Sequence, residues 1–199
     1  MVVRQVEAFP DKTALQIKRQ GKWVRYSYSQ LYDLSRQAAF SLWERGCRKG
    51  NRVILFAENQ PEWGIAYLAA VQIGVIVVPI DRQTTEGEIF ALAKFTEARA
   101  ILTSETLSVR LHNVQSRLNT DERSLPLLNI NRFCQPFENG QPESLAPIQE
   151  MPAVPKHFPD VEINSDTIAS IIFTAGTTVD PKGVMLTHSN LIANITAIL

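Results

Sequence analysis

Near the end of this chain, Thr174-Ala175-Gly176-Thr177-Thr178-Val179-Asp180-Pro181-Lys182 sets three threonine hydroxyls and a lysine around one glycine. Hydroxyls and backbone N–H groups can donate to phosphate oxygens only where no bulky side chain blocks the approach, and Gly176 leaves that approach open. Lys182 adds a mobile positive charge beside them. The chemistry these residues could do is to grip phosphate. The Walker A pattern, Gly-x-x-x-x-Gly-Lys-Ser/Thr, is the obvious comparison. Gly176 and Lys182 stand at its spacing, but Pro181 takes the place of the second glycine and Gly183 that of the magnesium-binding hydroxyl. An ordinary P-loop NTPase is therefore disfavoured.

The elements expected to position these residues lie on either side. Ile168 to Phe173 is an apolar, β-branched run of the kind found in a strand buried on both faces. After the lysine, Thr187 can cap a helix whose apolar residues Leu191, Ile192 and Ile195 share one side. The expected order is strand, hydroxyl-rich turn, lysine, helix.

Upstream, Ala14–Ile17 and Trp23–Tyr26 read as strands of a hairpin turning through Arg19-Gln20-Gly21. Ser27 with Gln30 forms a capping-box pattern opening a helix lined by Leu31, Leu34, Ala38 and Leu42 and stopped by Gly46. From Arg52 strand and helix alternate, which predicts an α/β fold with a mostly parallel sheet flanked by helices. Val53–Ala57 is a strand; Pro61 starts a helix through Ile73; Val75–Val78 is a strand; Thr85 with Glu88 caps a helix through Phe95; Ala100–Leu102 is a strand. Leu107, Leu111, Val114 and Leu118 recur at helical spacing, and Leu125–Ile130 suggests one more strand. Six prolines between Pro136 and Pro159 predict an irregular loop over 134–164.

At 199 residues and 45% apolar content the chain can build one core. Twenty Lys+Arg balance twenty Asp+Glu, and no basic face evident in the sequence argues for nucleic acid or anionic lipid. Cys47 and Cys134 match no metal or redox spacing, so reduced thiols and a cytoplasmic location are expected. Gly64–Ile80 is shorter than a membrane span and is broken by Gln72, Gly74 and Pro79; it reads as a buried helix followed by a buried strand. His112 and His157 are expected to face solvent, and Trp23, Trp43 and Trp63 to be core or interface aromatics. Glu58, Glu62, Asp81, Glu86 and Glu88 fall at turns or helix starts, and none forms a persuasive catalytic pair.

The run Phe173-Thr174-Ala175-Gly176-Thr177-Thr178-Val179-Asp180-Pro181-Lys182-Gly183-Val184 resembles the nucleotide-binding signature of the AMP-forming adenylate synthetases. The tail Met185-Leu186-Thr187-His188-Ser189-Asn190-Leu191 is most similar to the fatty-acyl-CoA synthetase branch. Two positions depart from the signature: Ala175 stands for the usual serine, and Val179 for the usual glycine, where a β-branched side chain resists positive φ. The resemblance implies that residues 1–199 are the N-terminal part of the large adenylate-forming domain, without its C-terminal subdomains. It also implies a two-step reaction. A fatty acid carboxylate attacks the α-phosphorus of ATP to give acyl-adenylate and pyrophosphate; then a thiol, coenzyme A or an acyl carrier protein, displaces AMP.

By the same resemblance, Thr174, Ala175, Gly176, Thr177, Thr178, Val179 and Lys182 form the nucleotide-binding loop, and Thr174 helps to hold Mg²⁺. His188 either faces the acyl pocket or serves as a structural or capping residue. The family's catalytic residues fall beyond Leu199, so the piece alone is expected to be inactive. Three alternatives stay open: an acyl-acyl-carrier-protein synthetase or fatty acyl-AMP ligase, a non-catalytic nucleotide-binding remnant, and a peripheral membrane ligase needing no spanning helix.

Overall fold

The computed structural model describes residues 2–118, 125–132, 137–138, 141–142, 161–173 and 182–198. A short lead helix, α1 (Val2–Ala8), precedes a hairpin of β1 (Thr13–Arg19) and β2 (Lys22–Ser27). Helix α2 (Tyr28–Glu44) opens on the expected reciprocal box: Ser27 Oγ accepts from the Gln30 N–H at 3.2 Å and Gln30 Oε1 from the Ser27 N–H at 2.9 Å. It closes at Gly46, whose φ of +80° suits the left-handed position after a helix.

The alternating section then runs β3 (Arg52–Phe56), α3 (Pro61–Gln72), β4 (Ile76–Pro79), α4 (Glu86–Phe95), β5 (Ala100–Thr103), α5 (Glu105–Ser108), α6 (His112–Leu118) and β6 (Leu127–Asn129). The single helix expected over 104–118 is interrupted by a 3₁₀ turn at Val109–Leu111, which still lets Leu111 and Val114 face the core. Within the proline-rich stretch, β7 (Phe137–Glu138) pairs with β8 (Gln141–Pro142), and Val161 packs against the core. The chain continues as β9 (Ile168–Phe173), β10 (Gly183–Thr187) and α7 (His188–Ile198).

The main sheet has the order β10-β9-β4-β3-β5-β6, parallel throughout except for β10. Side chains alternate across it. Val53 and Leu55 point with Val77 and Leu102 into the cluster under α2 and α3, whereas Ile54 and Phe56 point with Val78 and Ile101 into the cluster under α4 and α6. The central strands are therefore covered on both faces, as continuous apolar runs in parallel sheets require. Each such side chain contributes roughly 1.5–3 kcal/mol of burial.

Strand β10 departs from the sequence reading, which placed a turn and then a helix after Phe173. Gly183-Val184-Met185-Leu186-Thr187 pairs antiparallel with β9, from Gly183↔Phe173 to Thr187↔Ile168. The burial expected of β9 also holds only in part: Ala169 and Ser170 are buried, but Ile172 is 41% exposed. Strand β9 joins β4 in parallel at the pairing of Val77 with Ser170. The buried Ser170 hydroxyl supports that joint by donating to the Val77 carbonyl at 2.8 Å.

Candidate active site

The residues singled out for phosphate chemistry belong to the connection between β9 and β10. Thr174, Ala175, Gly176, Thr177, Thr178, Val179 and Pro181 lie outside the described residues. The flanks are described, and they explain how the ends of the connection meet. Because Gly183 pairs with Phe173, Lys182 lies beside the end of β9, the two strands' backbones running about 4.8 Å apart. Lys182 is solvent-exposed at that mouth. A Cβ on Gly183 would fall 2.7 Å from Ile171 Cγ2 and 3.1 Å from the Phe173 ring, so only glycine lets the strands close beside the lysine. The Phe173 ring meets Phe95 of α4 edge-on, centroids 5.9 Å apart, and fixes the point where β9 ends.

His188 is not brought to this mouth. Strand β10 carries the chain back to the amino end of β9, where the His188 N–H donates to the Thr167 carbonyl at 3.0 Å. At about 3.3 Å per residue, that is roughly 20 Å from Lys182. The cap of α7 is Thr187, whose Oγ1 accepts from the Asn190 N–H at 3.2 Å while Asn190 Oδ1 accepts from the Thr187 N–H at 3.0 Å. Burial pushes the His188 imidazole below its ordinary pKa, and its Nε2 has no hydrogen-bond partner among the described residues. This arrangement favours the structural reading of His188.

Of the acidic residues at turns, Glu62 has a partner that the sequence did not signal. It is 1% exposed, and Arg19 of β1 donates to its Oε1 at 2.6 Å, with the Tyr26 hydroxyl 3.4 Å from the same oxygen. The pair ties the β1–β2 hairpin to the first turn of α3. No periodicity could have matched residues so far apart in the chain.

Glu58, Asn59, Trp63, Ile80, Asp81 and Arg82, read from sequence as scaffold or left without a role, line a cleft of about 460 Å³ at the carboxyl ends of β3 and β4. Ligands of open α/β sheets gather outside that edge of the strands. Asp81 has one oxygen engaged by the Gln83 N–H at 2.7 Å, which shapes the turn. Among the described residues no group of His, Cys, Asp and Glu is arranged to hold a metal ion, and no helix is long and apolar enough to cross a membrane. Trp43 and Trp63 pack partly against the core, whereas Trp23 is 54% exposed on the hairpin, and His112 is exposed as expected.

A sequence profile described as "AMP-binding enzyme" matches residues 2–199. Crotonobetaine/carnitine–CoA ligase of Proteus mirabilis (strain HI4320) is 32% identical over 190 residues, covering 93% of this chain and 35% of the ligase. The enzyme of the same name from Shigella flexneri serotype 5b (strain 8401) is 31% identical over 186 residues, again covering 93% of this chain and 36% of the relative. The chain thus spans about a third of the length of these curated relatives. Among solved structures, a long-chain-fatty-acid-CoA ligase from Archaeoglobus fulgidus superposes with a TM-score of 0.77 at 22% identity, over 99% of this chain and 37% of its own. A fatty acyl-adenylate ligase from L. pneumophila, in complex with acyl adenylate and pyrophosphate, superposes with a TM-score of 0.76 at 20% identity, over 99% of this chain and 31% of its own. At those identities the two structures establish the shared fold: the N-terminal part of an adenylate-forming domain.

Proposed function

The chain belongs to the AMP-binding enzyme family, and from that premise we propose that it supplies the triphosphate-gripping part of an ATP-dependent, AMP-forming ligase that activates a carboxylic acid. Thr174, Gly176, Thr177, Thr178 and Lys182 hold the β- and γ-phosphates, with Ala175 and Val179 forming the remaining wall of the loop. Preorganised N–H, hydroxyl and ammonium donors of this kind neutralise charge as it builds on departing pyrophosphate. Thr174 is the side chain that would help to hold Mg²⁺, which would supply further charge neutralisation there. The acid is a fatty acid and the acceptor thiol that of coenzyme A. The curated relatives named above are CoA ligases, and two of the structural neighbours are named for fatty acyl substrates.

The observation that carries this reading is the β9–β10 hairpin. It brings Phe173 and Gly183, which flank the 174–182 segment, side by side, with Lys182 exposed next to a glycine whose missing side chain permits the pairing. A second reading, a nucleotide-binding remnant without turnover, is favoured by Ala175 and Val179, which remove a hydroxyl donor and a flexible hinge.

Carboxylate-dependent ATP–pyrophosphate exchange separates the two readings when measured on the 199 residues alone and on the chain joined to the remaining two thirds of a curated relative. The joined protein is expected to exchange, to lose roughly 10²-fold on Lys182→Ala, and to gain little from Ala175→Ser with Val179→Gly. The 199 residues alone are expected to be silent. Exchange that ignores Lys182→Ala refutes the proposed role of the loop. Exchange that starts only after the double replacement establishes the remnant.

A further inference from the structure

The charge balance of the whole chain conceals a concentration of cations at the amino edge of the sheet. The segment Arg45-Gly46-Cys47-Arg48-Lys49-Gly50-Asn51-Arg52 links α2 to β3, and Arg99 enters from the α4–β5 connection. The Arg99 N–H donates to the Arg52 carbonyl at 2.7 Å, and its guanidinium lies over Gly46, with one nitrogen 3.1 Å from where a Cβ would stand. Burial raises the pKa of the Cys47 thiol, and the positive charges of Arg99, Arg48 and Arg45 offset part of that rise. Arg45, Arg48, Lys49 and Arg99 are all exposed.

Their counter-charges are few. Among the described residues, Glu97 pairs with Arg52 at 2.8 Å, and no carboxylate lies within ion-pair distance of Arg45, Arg48, Lys49 or Arg99. Arg48 and Arg45 donate to backbone carbonyls in the last turn of α2, and Lys49 donates to the Glu162 carbonyl at 2.6 Å. Carbonyls orient the cations without cancelling their charge. Among the described residues, Glu44 precedes Arg45 in the chain, and Glu162 reaches this edge through its carbonyl.

Aromatic surface accompanies the charge. Arg48 stacks on Trp43 at 3.9 Å from the ring centroid. Of two clefts among the described residues, one lies at the carboxyl ends of β3 and β4 and the other between β1 and the start of α3, and neither is lined by Arg45, Arg48, Lys49 or Arg99. A plane of phosphate headgroups needs only exposed cations with apolar and aromatic groups between them.

We propose that the amino edge of the sheet, through Arg45, Arg48, Lys49 and Arg99 with Trp43, docks on an anionic lipid surface. Arg45, Arg48, Lys49 and Arg99 belong to the α2–β3 and α4–β5 connections, so the proposal does not depend on what the β9–β10 connection binds. Co-sedimentation of the full chain with phosphatidylcholine vesicles, with and without phosphatidylglycerol, tests it. Binding is expected only to the anionic vesicles, weakening as salt is raised. Lys49→Glu with Arg99→Glu lowers the partition coefficient by roughly tenfold or more, Lys49→Arg with Arg99→Lys retains it, and Lys22→Glu on the distant hairpin leaves it unchanged. Circular dichroism of each variant separates lost binding from lost folding. Equal binding to neutral vesicles overturns the proposal, as does indifference to the double reversal in a folded variant. Retention by soluble polyglutamate without vesicle binding overturns it too, and points to an acidic protein.

Discussion

Glu62, Gly183 and His188 each carry a consequence that one substitution can read. Glu62 sits in a low-dielectric site with Arg19 as its charged partner. Removing one member of a buried pair leaves the other uncompensated, whereas replacing both with apolar groups of similar size can be nearly neutral. Because Arg19 keeps 35% of its side chain exposed, Glu62→Leu is expected to cost about 2 kcal/mol, and much of that returns in Glu62→Leu with Arg19→Met. Urea denaturation of both variants measures it. Gly183→Val drives a side chain into Ile171 and Phe173, which is expected to cost about 1–3 kcal/mol and to open the mouth of the 174–182 connection. Loss of nucleotide binding ahead of loss of fold is the signature to seek by titration. For His188, burial holds the folded imidazole below its ordinary pKa of 6.5. The unfolded chain therefore takes up the proton first as pH falls, and stability present above about 6.5 declines below it. Melting temperature is expected to fall as pH is lowered through that window, and His188→Gln flattens the slope.

At the scale of elements, much of the architecture could be read directly. Ser27 with Gln30 and Thr85 with Glu88 form both of their predicted capping boxes, and the apolar runs at β3, β4 and β5 become the central parallel strands. Local chemistry decides such features, so local sequence carries them. The Glu88 carboxylate is held below its ordinary pKa by the Thr85 N–H and then by the Thr85 hydroxyl. Its contribution is thus present above about pH 4.5 and lost as pH falls further. Strand β10 escaped detection because Gly183–Thr187 shows no polar alternation and its partner, β9, lies across a connection too long for hairpin signals. The Arg19–Glu62 pair and the gathering of Arg99 onto Gly46 are likewise set by tertiary approach alone. Because β10 is an edge strand and Ile172, Val184 and Met185 of this pair are exposed, the β9–β10 amides are expected to exchange with deuterium well before those of β3 and β5. Exchange mass spectrometry resolves the order, and equal protection would contradict this view of the joint.

Seen whole, the molecule is well covered around β3, β4 and β5 and bare at one edge. Ile172, Val184, Met185, Ile192 and Ile195 are all exposed on β9, β10 and α7, beside an edge strand with unpaired backbone groups. The chain spans about a third of its curated relatives, so this apolar edge is expected to drive self-association of the 199 residues alone. Sedimentation velocity is expected to show concentration-dependent growth that Met185→Lys suppresses. The signature that identified the loop was legible because phosphate recognition draws on a narrow vocabulary of glycine, threonine and lysine. The most direct test of the central claim is isothermal titration of Mg²⁺-ATP into the whole chain and into Lys182→Ala. Saturable binding that weakens roughly tenfold or more in the variant is the predicted result. Equal affinity in the two proteins would contradict it, because the exposed lysine at the mouth of the hairpin would then have no part in holding the nucleotide.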